Sequence, residues 1–325
     1  MMKPAYYRIS PVNIEGKPSN RLMVVLKTKG CEYAHKTGGG CTVCGFLNHA
    51  SQDITGADII KQLDFVLGAF DLSGVEEIDI LTLGSFFNDS EVDLPTRLAI
   101  MERLSKLPQV RRISTEARAE YVTVAKIKEV KQALGNDKIL EFGIGLESAN
   151  DYLRNVVINK GLSKKAYEKT VAKVKEAGAN LLTYLLIKPP QVSEKEAIAD
   201  AIQSAAYVFQ TAKEMGVSAR VAFEPVFICE NTYLEQLYLQ AKYRMLNLWS
   251  VVEVIKGAHE YGCIFIGLSD ENLSLERMPF SCPTCNGSIS REIENFNKTQ
   301  DISGLLQLDC ECKTRYLEKM AREEI

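Results

Sequence analysis

The chain lacks any apolar run of the roughly 18 residues that a membrane-spanning helix needs. Its opening stretch, MMKPAYYRISPVNIEGKPSNR, has no apolar core of the kind that marks a secretion signal. The expectation is therefore a cytoplasmic protein with no membrane partner. A basic excess is missing too: 39 Lys and Arg stand against 42 Asp and Glu, a net charge of −3. That excludes a surface built to hold nucleic acid through many phosphates, so any such contact is local or shared with a partner. Short basic stretches, Arg111–Arg112 and Lys313, Arg315, Lys319 and Arg322, read as solvated faces. No internal repeat or low-complexity segment is present.

What is present is ordinary for a globular α/β protein of 325 residues, with 46% hydrophobic and 25% charged residues. Short runs rich in β-branched residues, at 22–27, 77–83, 111–115, 139–146, 181–187 and 218–224, predict strands. Amphipathic stretches near 56–70, 93–106, 119–134, 163–177 and 194–215 predict helices between them. Six β–α units in series imply a parallel sheet with helices outside it. A full or partial barrel is the expected closure and a flat doubly wound sheet the alternative; in both, ligands sit at the carboxyl ends of the strands. After residue 230 the alternation fades into helical patterns at 232–247 and 250–261, with a short strand at 263–268. The expected division is an N-terminal extension (1–20), a core barrel (21–230), a helical extension (231–269) and a loop-rich, cysteine-rich module (270–325).

Nine cysteines without a secretion signal favour metal binding over disulfides. Cys229 and Cys263 stand alone and read as core packing. Cys31, Cys41 and Cys44 lie on the loop after the first strand, in GCEYAHKTGGGCTVCGF. Three thiolates cannot close a tetrahedral zinc site, although His35 or His49 could add a fourth donor. They can hold a four-iron cluster with one iron left open for a ligand. Gly38, Gly39 and Gly40 let the backbone wrap a bulky core. The loops after the next three strands carry Gly84, Ser85 and Phe86 in LGSFFND, Glu116 and Arg118 in STEARAEYV, and Gly145 and Glu147 in FGIGLESAND. Glycines there admit a ligand to the backbone; acids accept from ammonium or hydroxyl groups. Lys188, in LLIKPP after the fifth strand, is expected at the barrel mouth as a catalytic residue holding a carboxylate of cofactor or substrate.

These loops, in this order, resemble the radical S-adenosylmethionine superfamily. The commonest spacing there is Cys-x3-Cys-x2-Cys, whereas nine residues separate Cys31 from Cys41 here. The series GCxxAxxxGGGCTVCGF, SFFND, STEARAEYV, GIGLESAND, INKGLS, YLLIKPP, LWSVVEV and LDCECK resembles the radical subunit of archaeosine synthase and its relatives. It is more distantly similar to the Elongator catalytic core. The resemblance covers about residues 22–316. It implies a partial (β/α)6 barrel with a [4Fe-4S] cluster on Cys31, Cys41 and Cys44. It implies S-adenosylmethionine near the glycine and acidic loops, an electron donor, and reductive cleavage to a 5′-deoxyadenosyl radical. The implied substrate is a lysine adduct of a 7-deazaguanine base in tRNA, prepared by a partner enzyme and cleaved at a carbon–nitrogen bond. Another lysine-like or nucleoside substrate is the alternative.

Cys282 and Cys285 in CPTC and Cys310 and Cys312 in CEC form a second group. Four thiolates need no open position, so structural zinc is the first reading and an auxiliary iron–sulfur cluster the second. Nearby Phe296, Tyr316, Arg291 and Lys298 read as packing residues, with RNA contact as the alternative. Two functions of other classes also fit two cysteine groups: a non-catalytic metal-binding adaptor, and an electron carrier. Neither has a use for three ligand-binding loops at strand ends.

Overall fold

A computed structural model describes residues 2–269 and 277–322. The start of the expected cysteine-rich module, 270–276, and its last three residues lie outside the described residues. One eight-stranded sheet runs β1 (Tyr6–Ile14), β2 (Lys17–Leu26), β3 (Val75–Thr82), β4 (Arg112–Glu116), β5 (Ile139–Glu147), β6 (Asn180–Ile187), β7 (Ala219–Pro225) and β8 (Ile264–Ile266), in that order. β1 pairs antiparallel with β2, and every later pair is parallel. The sheet curls into a nearly closed barrel with one seam. The six expected parallel strands become seven, because the short strand near 264 joins β7. The segment set apart as an extension supplies β1.

Helices α2 (Gly56–Ala69), α3 (Leu94–Ser105), α4 (Val124–Leu134), α5 (Lys164–Glu176) and α6 (Glu194–Met215) follow their strands, after a short α1 (Glu32–Thr37) in the cysteine loop. Local chemistry sets their ends. Thr55 with Asp58, and Ser193 with Glu196, form capping boxes, and α6 stops at Gly216 in the left-handed conformation. Strand residues alternate. Leu22, Val24 and Leu26 pack under the helices. Met23 and Val25 meet Leu81 and Leu83 inside the barrel. Both faces are covered, so the strands read as apolar runs.

The lower interior is closed by charge. Arg220 bonds Glu141 and, at 2.9 Å, Glu77; Arg112 bonds Glu77 at 2.9 Å; Ser114 donates to Glu141 at 3.0 Å. Two buried acids and two arginines cancel, and their hydrogen bonds satisfy most of the set. This network fills the interior below the cavity, which lies toward the carboxyl ends of the strands.

Beyond the barrel, α7 spans Tyr233–Leu239 and α8 Leu248–Ala258. The helix expected over 232–247 ends early, with Ala241 at φ 55° turning the chain. The tail is helical rather than loop-rich: α9 (Asn286–Thr299), α10 (Ser303–Gln307) and α11 (Glu311–Ala321) pack on the barrel through Ile289, Ile293, Phe296 and Tyr316. Phe296 and Tyr316 are buried, which supports the packing role. No helix among the described residues is long and apolar enough to cross a membrane.

Candidate active site

A cavity of about 280 Å³ opens at the carboxyl ends of the strands, and Cys31, Cys41 and Cys44 all line it. Gly84, Glu116, Arg118, Gly145 and Glu147 line it as well. The order of loops read from the sequence thus becomes one concave wall. The cysteine loop is fixed from below. Asn88 donates to Glu32 at 2.8 Å and to Glu91 at 3.0 Å. Glu91 also accepts from the backbone of Ser85 at 2.7 Å, and Tyr121 donates to Glu32 at 3.0 Å. An added Cβ at Gly84 would stand 2.8 Å from the Cα of Cys31, so this glycine lets the two loops touch. Ser85 and Phe86 are fully buried and support the loop from behind instead of facing the cavity.

On the opposite wall, β5 shifts register between Gly145 and Glu147, and Glu147 takes φ 68°. Its carboxylate receives Lys160 at 2.6 Å. Burial works against the Lys160 ammonium, but Glu147 and Cys41 beside it more than offset that and raise its pKa. Arg118 donates to Glu120 at 2.6 Å and to the Lys160 carbonyl at 2.9 Å, with its guanidinium 3.9 Å from the Tyr33 ring centre. Burial pushes Glu116 up to about 8, with Lys160 opposing. Burial likewise raises the Cys41 thiol, while Lys160 and Arg118 pull it down. A cation bound at the sulfurs is what such thiols need in order to ionise.

The sequence reading missed Lys160, although its motif INKGLS was visible, because a lone lysine after a helical turn carries no signal of its own. It also missed Arg21, Asp79 and Glu224, which line the same cavity. Cys229, assigned to core packing, is buried yet also lines the cavity. A Cβ on Gly45 would meet its Sγ at 2.9 Å. Lys188 corrects the expectation for it. It is 4% exposed, bonds Glu194 at 3.3 Å and the Arg244 carbonyl at 2.9 Å, and does not line the cavity. At φ 65° its side chain turns to a buried acid, not to the mouth.

The tail cysteines form a different kind of site. Sulfur separations are 3.4 Å for Cys282 and Cys285, 3.7 Å for Cys282 and Cys310, and 3.3 Å for Cys285 and Cys312. All four sulfurs lie within 4.8 Å of one another. One ion with bonds of about 2.3 Å at tetrahedral angles spaces its sulfurs about 3.8 Å apart, so the set fits a single closed metal ion. Trp249 of α8 donates its indole N–H to Cys312 at 3.2 Å. Among the described residues this is the one group of three or more donors gathered so tightly. Cys31, Cys41 and Cys44 do not gather this way with each other or with His35 or His49. The geometry therefore does not support a one-ion zinc site at the mouth, whereas three thiols lining one cavity suit a larger core that leaves a position open to a ligand.

No family model matches the chain. An uncharacterized protein of Methanocaldococcus jannaschii is 32% identical over 304 residues, covering 90% of this chain and 80% of that protein. Archaeosine synthase subunit beta of Thermococcus kodakarensis is 32% identical over 317 residues, covering 95% of this chain and 94% of that protein. Among solved structures, N-terminally truncated Elp3 of the archaeon Methanocaldococcus infernus superposes with a TM-score of 0.52 at 12% identity, over 88% of this chain and 64% of that one. The last likeness speaks for the fold alone. Sequence and barrel together make the chain a member of the archaeosine synthase subunit beta family of radical S-adenosylmethionine enzymes.

Proposed function

We propose that this protein cleaves S-adenosylmethionine reductively at a [4Fe-4S] cluster on Cys31, Cys41 and Cys44. In this reading it acts on a lysine adduct of a 7-deazaguanine base in tRNA, breaking a carbon–nitrogen bond. The observation that carries the reading is the convergence of three cysteines, two glycines, two acids and Arg118 on one cavity. When bound, the cluster supplies the electron that releases methionine and a 5′-deoxyadenosyl radical able to take hydrogen from an unreactive carbon. The chain's own residues bind and orient. Gly84 and Gly145 line the cavity, and their missing side chains leave room for the Cys31 loop and for the Glu147–Lys160 pair. Glu116 and Glu147 accept from its ammonium or hydroxyl groups, and Lys160 holds Glu147 in place. Leu81, Leu83, Ile158, Leu186 and Val226 line the cavity and keep water from a radical.

A partner enzyme would prepare the adduct and share the tRNA contact, which suits an acidic chain; an electron donor is also required. The tail cysteines would hold structural zinc. The test is anaerobic turnover of reconstituted protein with a strong reductant and adduct-bearing tRNA. 5′-Deoxyadenosine and a formamidine-bearing base are expected. Fully clustered protein that makes neither would sink the reading.

A further inference from the structure

Past Glu116 the cavity continues into the barrel, where its lining carries charges for which the cofactor has no use. Arg21 of β2, Asp79 of β3, Glu224 of β7 and Phe265 of β8 meet there. The Arg21 guanidinium lies 3.9 Å from the Phe265 ring centre. Its Nε donates to Ser10 at 3.1 Å and one terminal nitrogen donates to Asp79 Oδ2 at 2.8 Å. The other terminal nitrogen has no hydrogen-bond partner among the described residues. Asp79 is 2% exposed, and its Oδ1 is buried with nothing donating to it. A buried acceptor left in that state costs its full desolvation unless a ligand supplies the donor.

Glu224 is the second unanswered group. Lys160 pairs with Glu147, Arg118 with Glu120, Arg8 with Glu294 and Arg21 with Asp79. Every cation of the lining is thereby matched, and Glu224 has no ion pair among the described residues. Its carboxylate stands where it does because residue 267 is glycine: a Cβ there would meet the carboxyl carbon at 2.7 Å. Burial raises Glu224 to about 7, against the pull of Arg21. An incoming ammonium would supply the charge it lacks.

The far end of the cavity thus presents two carboxylates that share one guanidinium: Asp79 keeps one acceptor oxygen unfilled, Glu224 has no ion pair among the described residues, and Arg21 keeps unused N–H groups. An α-amino acid head group carries both charges two bonds apart. We infer that this end seats the α-amino acid head group of the substrate, with its ammonium on Glu224 and Asp79 and its carboxylate on Arg21. The inference rests on the reading above of a lysine adduct, and adds that the lysine is joined to the base through its terminal nitrogen, which leaves its α-amino acid head group free. The four-carbon arm then crosses the apolar belt of Leu81, Leu186 and Val226, and the reacting end lies under the cysteines. The bidentate fork of arginine suits a carboxylate, and the stacked ring holds that fork flat.

The test uses full-length, anaerobically reconstituted protein and three probes: L-lysine, 6-aminohexanoate (no α-ammonium) and cadaverine (no carboxylate). Equilibrium titration should rank L-lysine about tenfold or more above each of the others, the loss expected when one charged hydrogen-bonded group is deleted. Glu224→Gln should weaken L-lysine and cadaverine by about tenfold and leave 6-aminohexanoate unchanged. Arg21→Lys should keep the fold through its charge and weaken L-lysine and 6-aminohexanoate. Equal binding of the three probes by the unaltered protein overturns the seat without reliance on any variant. So does a Glu224→Gln effect confined to S-adenosylmethionine affinity. Failure of the reaction reading looks different: the L-lysine preference persists while adduct-bearing tRNA is not turned over. Conversely, equal kcat/KM on tRNA adducts of all three amines leaves the reaction standing and removes the seat.

Discussion

Seven of the nine cysteines fall into two groups that the barrel treats in opposite ways. The tail group draws four sulfurs together, with contacts of 3.3, 3.4 and 3.7 Å, and adds an indole donor. Four thiolates around one ion would fill a tetrahedral shell. The mouth group keeps three thiols apart on a loop, facing a cavity with its own acids and bases. Four gathered donors suit a closed structural metal, and three spread around a cavity suit one that keeps a position open for chemistry. The mouth loop is fixed by hydrogen bonds among Glu32, Asn88 and Glu91, none of which lines the cavity.

The sharpest way to break this contrast is to delete one group and assay both metals. Cys31→Ala, Cys41→Ala or Cys44→Ala should remove about four irons and all S-adenosylmethionine cleavage, with the tail metal retained. The mirror variant, Cys282→Ala with Cys285→Ala, should lose zinc and destabilise α9–α11 while most of the iron remains. Elemental analysis of anaerobic protein reads both, and loss of both metals from either variant would collapse the distinction.

Next in size is Lys188. With its ammonium bonded to buried Glu194, Lys188→Met should cost about 3–5 kcal/mol in denaturant unfolding, as removal of one partner of a buried pair does. 5′-Deoxyadenosine formation per clustered molecule should not change; a selective loss of that activity would return Lys188 to the mouth. Smaller effects are expected at the cofactor wall. Glu116→Ala and Glu147→Ala should each weaken S-adenosylmethionine binding tenfold to a hundredfold, about 1.5–3 kcal/mol, with iron content intact. The smallest is a pH slope. Glu116 is raised from 4.5 to about 8, so between these values the folded chain holds a proton that the unfolded chain has lost. Stability of cluster-free protein should therefore fall as pH rises through that window. Glu116→Gln should flatten the fall, measured by urea titrations at stepped pH.

Much of this arrangement was legible in the sequence. The parallel strands carry apolar runs, and the cysteine, glycine and acidic loops follow them in order, so one wall of the cavity could be assembled before any coordinates. Three things could not be read. β1, YYRISPVNI, holds a proline and no regular alternation, because it lies at the edge of the sheet. α9, NGSISREIENFNKT, shows only Ile289, Ile293 and Phe296 as an apolar stripe, and the flanking cysteines suggested loops. Arg21, Asp79 and Glu224 are single charges at inward positions of strands; only the curl of the sheet brings them together.

The seam of the barrel has a consequence for how the chain reaches this state. The outer edge of β8 pairs with side chains, not with a strand: Gln300 bonds the N–H and C=O of Ile264, and Asn297 those of Ile266. The same helix reaches across to β1, where Asn13 donates to the Lys298 carbonyl at 3.0 Å and Arg8 meets Glu294 at 3.0 Å. β1 and β8, the two edges of the sheet, are thus joined by residues made later than either. A nascent chain can assemble its β–α units in sequence, but its wall stays unsealed until α9 has emerged. A chain truncated before residue 286 should accordingly expose a bare sheet edge, the kind of surface that recruits other strands into aggregates.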